Sequence, residues 1–168
     1  LIEDTPSMLG SAWSAMLRAQ CYDLQGMYVE ALEAGTRALT QARECGALVL
    51  AERADALCAF ALLHRGSTLA ASERFEHLAE SARDPEASLT AHVGLGRVAQ
   101  RRGELDLARW LFLEGLDKAR DLDARYLEGM CLNGLGDLAR QEGELDDAAT
   151  YSGDALEVFE HLGHRVMV

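Results

Sequence analysis

The sequence predicts an all-α protein, an array of about four antiparallel helical hairpins, and three observations carry that prediction. Ala and Leu, the strongest helix formers, are abundant, while the 168 residues contain only 2 Pro. No stretch alternates apolar and polar residues over six or more positions, so no strand is expected. The tetrapeptide Gly-Glu-Leu-Asp occurs twice, from Gly103 and from Gly143, each time with Ala five residues after the Gly. A string repeated at fixed spacing points to a repeated structural unit.

Four glycines set the frame: Gly26, Gly66, Gly103 and Gly143, at intervals of 40, 37 and 40 residues. Five residues after each stands an alanine: Ala31, Ala71, Ala108 and Ala148. Seven before each stands a small residue: Ala19, Ala59, Gly96 and Gly136. Each turn glycine ends one helix, where the chain needs a left-handed residue, and small side chains at the flanking sites let the two helices approach closely. A lone hairpin cannot cover its apolar face, so the hairpins must stack.

The elements follow in order. Thr5-Pro6 opens the first helix, expected over about 7–25, with its partner at 28–45. Gly46, twenty residues after Gly26, closes that partner. The second pair spans 47–65 and 68–83. Asp84-Pro85 then opens the third, at 86–102 and 105–121, and the fourth occupies 125–142 and 145–162, closed by Gly163. Asp106 and Asp146 sit at second-helix starts, where the helix dipole favours an acid. The repeats are therefore about 7–46, 47–85, 86–123 and 124–163, in one domain covering 1–168. Residues 164–168 read as the start of a further helix. Tyr151 and Val158 are expected to lack cover at that open end, which favours a homodimer or further repeats. The chain begins at Leu1 rather than Met and is expected to be a segment of a larger protein.

Composition narrows the function. The net charge is −12, a field that repels phosphate backbones and anionic membranes, so no nucleic-acid contact and no membrane are expected. No apolar run reaches the roughly 18 residues of a spanning helix. Cys21, Cys45, Cys58 and Cys131 form no C-x-x-C pair and read as reduced, mostly buried thiols, which suits the cytoplasm. His161 and His164 lack further ligands for zinc. There is no phosphate-binding loop and no serine elbow, and "GLGR" at Gly94–Arg97 has no strand before it. No catalytic residue, cofactor or metal is expected, and the protein reads as no enzyme.

The offsets of Gly, Ala five on and Ala twelve on resemble the tetratricopeptide repeat, best in "GLGDLARQEGELDDAATYSGDALEVF" from Gly134 to Phe159. The spacing near 40 rather than 34 residues, without a closing proline, is similar to the long repeats of bacterial ATP-dependent transcription activators of the maltose-regulator type. The resemblance implies a right-handed superhelical array, a TPR-like α-solenoid whose first helices line a binding groove. It places Trp13, Met16 and Gln20 there from the first repeat, and Arg53, Phe60 and His64 from the second. The third repeat supplies Thr90, Val93, Arg97 and Arg101, and the fourth Met130, Asn133 and Arg140. Four arginines among these, in so acidic a chain, predict an acidic or carboxylate-ended peptide held on apolar anchors. The competing reading is that the arginines pair with acids on neighbouring helices. The function implied is a protein or peptide interaction module, the regulatory or sensor part of a signalling or transcription protein. A small-ligand receptor and a self-assembly scaffold are the alternatives.

Overall fold

The computed structural model describes residues 5–163, and these form eight α-helices with no strand among them: α1 (Thr5–Leu24), α2 (Tyr28–Glu44), α3 (Leu48–His64), α4 (Thr68–Ser81), α5 (Pro85–Arg102), α6 (Leu105–Asp121), α7 (Arg125–Glu142) and α8 (Leu145–His161). Each lies within a few residues of its expected bounds. The expected fifth-repeat start at 164–168 and His164 lie outside the described residues.

Six of the connections, two or three residues long, share one design. In each, a residue with positive φ follows the helix, and the next residue donates its N–H five residues back: Met27 to Tyr22, Ala47 to Ala42, Ser67 to Leu62, Glu104 to Ala99, Ala124 to Ala119 and Glu144 to Ala139, at 2.8–3.0 Å. This bond closes a Schellman motif and satisfies a carbonyl left over by the helix end. The positive-φ residue is Gly26, Gly46, Gly66, Gly103 or Gly143, with φ between 73° and 88°, except once. Asp123 holds that place between α6 and α7 at φ 51°, the position twenty residues after Gly103 where the first and fourth repeats have Gly46 and Gly163. No side chain caps the helix that follows any of these turns; the acids of the first turns, Asp106 in α6 and Asp146 in α8, act through the dipole alone. The α4–α5 connection differs. There the backbone N–H groups of Arg83 and Asp84 donate to the Glu52 carboxylate of α3 at 2.9–3.1 Å.

The chain divides into two compact units, Leu1–Ser88 and Leu89–Val168, with the boundary inside α5. In the first, α1 packs on α2, α2 on α3 and α3 on α4, and α1 also meets α3. Its core is made mostly of alanines, among them Ala12, Ala15, Ala38, Ala42, Ala51 and Ala54, with Met16, Leu39 and Leu50 filling the gaps. In the second, α6 packs on α7 and α7 on α8. Its core centres on Phe112, fully buried among Val93, Leu116, Cys131, Leu135 and Leu138. The ring edge of Phe112 rests on two glycines: a Cβ on either Gly96 or Gly134 would come within 2.7 Å of it. All eight small residues flanking the turn glycines are buried, so close helix approach is what those sites provide.

Tyr151 and Val158 are half-buried and pack against the second unit's core, contrary to the expectation that they lack cover. They stand four residues before and three residues after Ala155, which is buried. The exposed large apolar residues of α8 are Leu145 and Leu156.

Candidate functional site

The residues expected in one groove divide between the two units, and the structure treats them in three ways. Met16, Phe60 and Val93 are core residues, 5, 9 and 0% exposed, and they correct the expectation of apolar anchors at those positions. The physical reason is that a first helix packs on two neighbours at once. Met16 of α1 joins Ala38 of α2 and Leu50 of α3. Phe60 meets Phe75 of α4 edge to face at 4.9 Å. Val93 lies 3.7 Å from the space above Gly115. Met130 and Thr90 are half-buried, whereas Gln20, Arg101 and Asn133 are exposed.

A second group is paired. Arg53 donates from Nε to Asp84 at 2.7 Å and reaches Glu86 at 3.0 Å. The hydrogen bond to Asp84 raises its pKa further above the usual guanidinium value. Arg97 donates to Asp137 at 2.7 Å and to Gln100 at 3.3 Å, with its guanidinium carbon 5.5 Å from the Phe112 ring centroid. Arg140 meets the other oxygen of Asp137 at 3.2 Å. His64 contacts Asp23 at 2.9 Å, and its ring lies tilted against Tyr28 with centroids 4.9 Å apart. Arg53 and Arg97 thus hold carboxylates from beyond their own helix or at another helix's start, while Arg140 pairs with Asp137 within α7 itself.

A third group faces an opening. Trp13 and Arg53, each thirteen residues before its turn glycine, line one cleft of the first unit with a volume of about 440 Å³. Leu9 of α1 stands one turn before Trp13. Ala47, Leu48, Val49 and Leu50 complete the wall from the start of α3. Leu9, Trp13, Leu48 and Val49 are all exposed. The lining is apolar apart from Arg53, and the carboxylates of Asp84 and Glu86 neutralise that one cation. Trp13 and Arg53 are the two expected residues that the structure brings together at an opening. Leu9, Leu48 and Val49 were missed, although the apolar run "ALVL" directly after Gly46 is a signal for them.

Two buried acids were also missed. Asp55 of α3 is gripped by Arg74 of α4 and lies 3.7 Å from Arg43 of α2. Glu128 of α7 accepts from Arg120 at 2.9 Å and Arg125 at 3.0 Å. Both clamp a first helix to the second helix before it. In the second unit His92 and Glu114 approach to 3.1 Å, but poor alignment leaves His92 Nε2 and Glu114 Oε2 without a hydrogen bond. Burial, then the charge of Lys118, holds the His92 imidazole below its ordinary value. Cys58 and Cys131 are buried thiols, and burial pushes Cys131 up to about 12. Cys21 is exposed. Among the described residues no group of three His, Cys, Asp or Glu could hold a metal ion, and no helix is long and apolar enough to cross a membrane.

Sequential helical hairpins with similar turns and buried small residues beside them define an α-helical repeat protein. The Tetratricopeptide repeat family pattern matches residues 87–161, from α5 to α8, and supports a tetratricopeptide repeat relationship for that stretch. Tetratricopeptide repeats generally mediate protein–protein interaction and are typically non-catalytic. No curated protein matches the chain.

Proposed function

We propose that this chain is a docking module for a protein or peptide, acting in the cytoplasm as the regulatory or sensor part of a larger bacterial signalling or transcription regulator. The observation that carries the docking reading is the cleft of the first unit. Four exposed apolar side chains, Leu9, Trp13, Leu48 and Val49, converge on one opening. Isolated exposed apolar residues are ordinary, but a converging group with a polar rim marks a recognition surface. The long repeat spacing supports the regulatory context.

Because Arg53 is already held by Asp84 and Glu86, the occupant is a segment presenting adjacent apolar side chains, with an acidic group as a secondary feature. An incoming carboxylate has to replace Glu86 at Arg53, an exchange of one exposed ion pair for another. The test is a titration with two labelled peptides sharing an apolar anchor pair, one with a free carboxylate end and one amidated, followed by the fluorescence anisotropy of the peptide label. Both peptides bind, and Trp13→Ala combined with Val49→Asp removes binding of both. Unchanged binding in that double variant refutes the cleft. A strong preference for the carboxylate peptide that Arg53→Gln abolishes restores the acidic-peptide reading.

A further inference from the structure

One face of α6 carries an apolar stripe that the other second helices lack. Four, seven and ten residues after Gly103 stand Leu107, Trp110 and Leu113. At the same distances from Gly26, α2 has Glu30, Glu33 and Thr36, and from Gly66, α4 has Ala70, Glu73 and Glu76. From Gly143, α8 has Asp147, Thr150 and Gly153. Packing of the repeats therefore does not require large apolar side chains at these places. The buried residues of α6, from Ala108 and Leu111 to Leu116 and Ala119, lie along one side of the helix. At 3.6 residues per turn, Trp110 falls opposite the middle of that side. Leu107, Trp110 and Leu113 are 45, 57 and 43% exposed. The helix is an inner one, since Phe112 rests on Gly96 of α5 and on Gly134 of α7. The stripe runs for about 9 Å along the axis. The Trp110 ring meets His92 of α5 edge to face with centroids 6.0 Å apart, a contact that holds the indole in its place on the surface.

The charges beside the stripe say what fits it. Asp106 stands one turn before Trp110 and Asp117 one turn after Leu113, and both are exposed. The three cations of α6 are already engaged: Arg109 by Glu142 and Glu144, Lys118 by Glu114, and Arg120 by Glu128. Among the described residues neither Asp106 nor Asp117 has an ion pair. The apolar stripe is thus bracketed by two carboxylates without a counter-charge. A segment with Lys or Arg beside its apolar residues gains an ion pair at either end, and one with acids there is repelled. A second copy of α6 would set carboxylate against carboxylate, and an anionic lipid surface is repelled in the same way.

We propose that this face of α6 docks a basic amphipathic α-helix of a partner protein, its aliphatic residues over Trp110 and its Lys or Arg residues at Asp106 and Asp117. The surface is separate from the first unit's cleft, so Trp13→Ala combined with Val49→Asp leaves this binding in place and the two readings fail independently. The probes are two labelled synthetic helical peptides with the same leucine stripe, one flanked by Lys and one by Glu. Their helix contents are compared by circular dichroism, and their binding to the native chain is read by fluorescence anisotropy. Two exposed ion pairs give the Lys peptide about tenfold tighter binding than the Glu peptide, a difference that added salt narrows. Trp110→Thr combined with Leu113→Thr keeps the charge and installs the residue type of Thr150 in α8 and Thr36 in α2. That variant, its fold checked by melting temperature, binds the Lys peptide about tenfold more weakly. Asp106→Asn combined with Asp117→Lys removes most of the preference for Lys, whereas the same change of net charge on α2, Glu33→Lys combined with Glu44→Gln, keeps it. Equal binding of the two peptides, no weakening in the Trp110→Thr, Leu113→Thr variant, loss of the preference in the α2 variant, or no binding of either peptide overturns the proposal. Self-association of the chain that Trp110→Thr with Leu113→Thr abolishes also overturns it and makes the occupant a second copy.

Discussion

Replacing Gly134 by Ala sets two effects of known sign against each other. Gly134 lies inside α7, where Ala favours the helix over Gly by about 1 kcal/mol. Against that, the new Cβ would lie 2.7 Å from Cε1 and Cζ of Phe112 and 2.8 Å from Cε2. Carbon atoms rest at about 3.5–4.0 Å, so the ring must withdraw by roughly 0.8 Å or more. Phe112 is fully buried, and the same ring edge already lies against Gly96. Overpacking of this kind costs about 1–3 kcal/mol, so the net change is a loss of about 1 kcal/mol. The same substitution at Gly153, mid-α8 with open space around it, keeps only the helix gain and adds about 0.5–1 kcal/mol. The two variants therefore shift the melting temperature in opposite directions, by about 2–4 °C per kcal/mol in a chain of this size. Shortening the ring in a Gly134→Ala, Phe112→Leu double variant recovers part of the loss, a coupling that a double-mutant cycle measures. A Gly134→Ala protein that melts at or above the wild-type temperature would refute the argument from the ring contact.

The other predictions concern single sites. Asp123→Gly relieves a left-handed aspartate at φ 51° and sacrifices only its exposed contact with Arg125, so it raises stability by about 0.5–1 kcal/mol in denaturant melts. Cys21 reacts with a maleimide in the native protein, while Cys131, buried and with its pKa pushed up to about 12, reacts only on unfolding; mass spectrometry after brief labelling distinguishes them. His92 titrates below its ordinary value of 6.5 in an NMR pH series, and Lys118→Ala moves it upward by removing a neighbouring cation. Because the folded value is depressed, the contribution of His92 to stability is present above 6.5 and is lost as pH falls through the folded value.

The helix boundaries were legible because turns are chosen locally. A left-handed residue is nearly always glycine, and five of the six like turns announce themselves that way. The turn at Asp123 carries no such signal, and it was placed by the spacing of its neighbours. Small residues beside the turns were legible for a similar reason: a close crossing excludes large side chains whichever helix lies opposite.

The surface was less legible. Met16, Phe60 and Val93 occupy the same helix face, by spacing, as Trp13 and Arg53, yet burial removes the first three and leaves the other two lining the cleft. Whether a given position is covered depends on the side chains of a second and third helix. The arginines show the same dependence. Arg53 finds its carboxylate 31 residues away and Arg97 finds its own 40 residues away, distances at which no helical periodicity connects them.

The amino-acid sequence by itself determined where this chain turns and how closely its helices cross, since backbone conformation and side-chain volume act within a few residues. Only the tertiary structure decided which arginines are already satisfied and which apolar residues remain open in the first unit. Those outcomes depend on the neighbours that packing brings into reach, and a charge or a leucine acquires its role only from what stands against it.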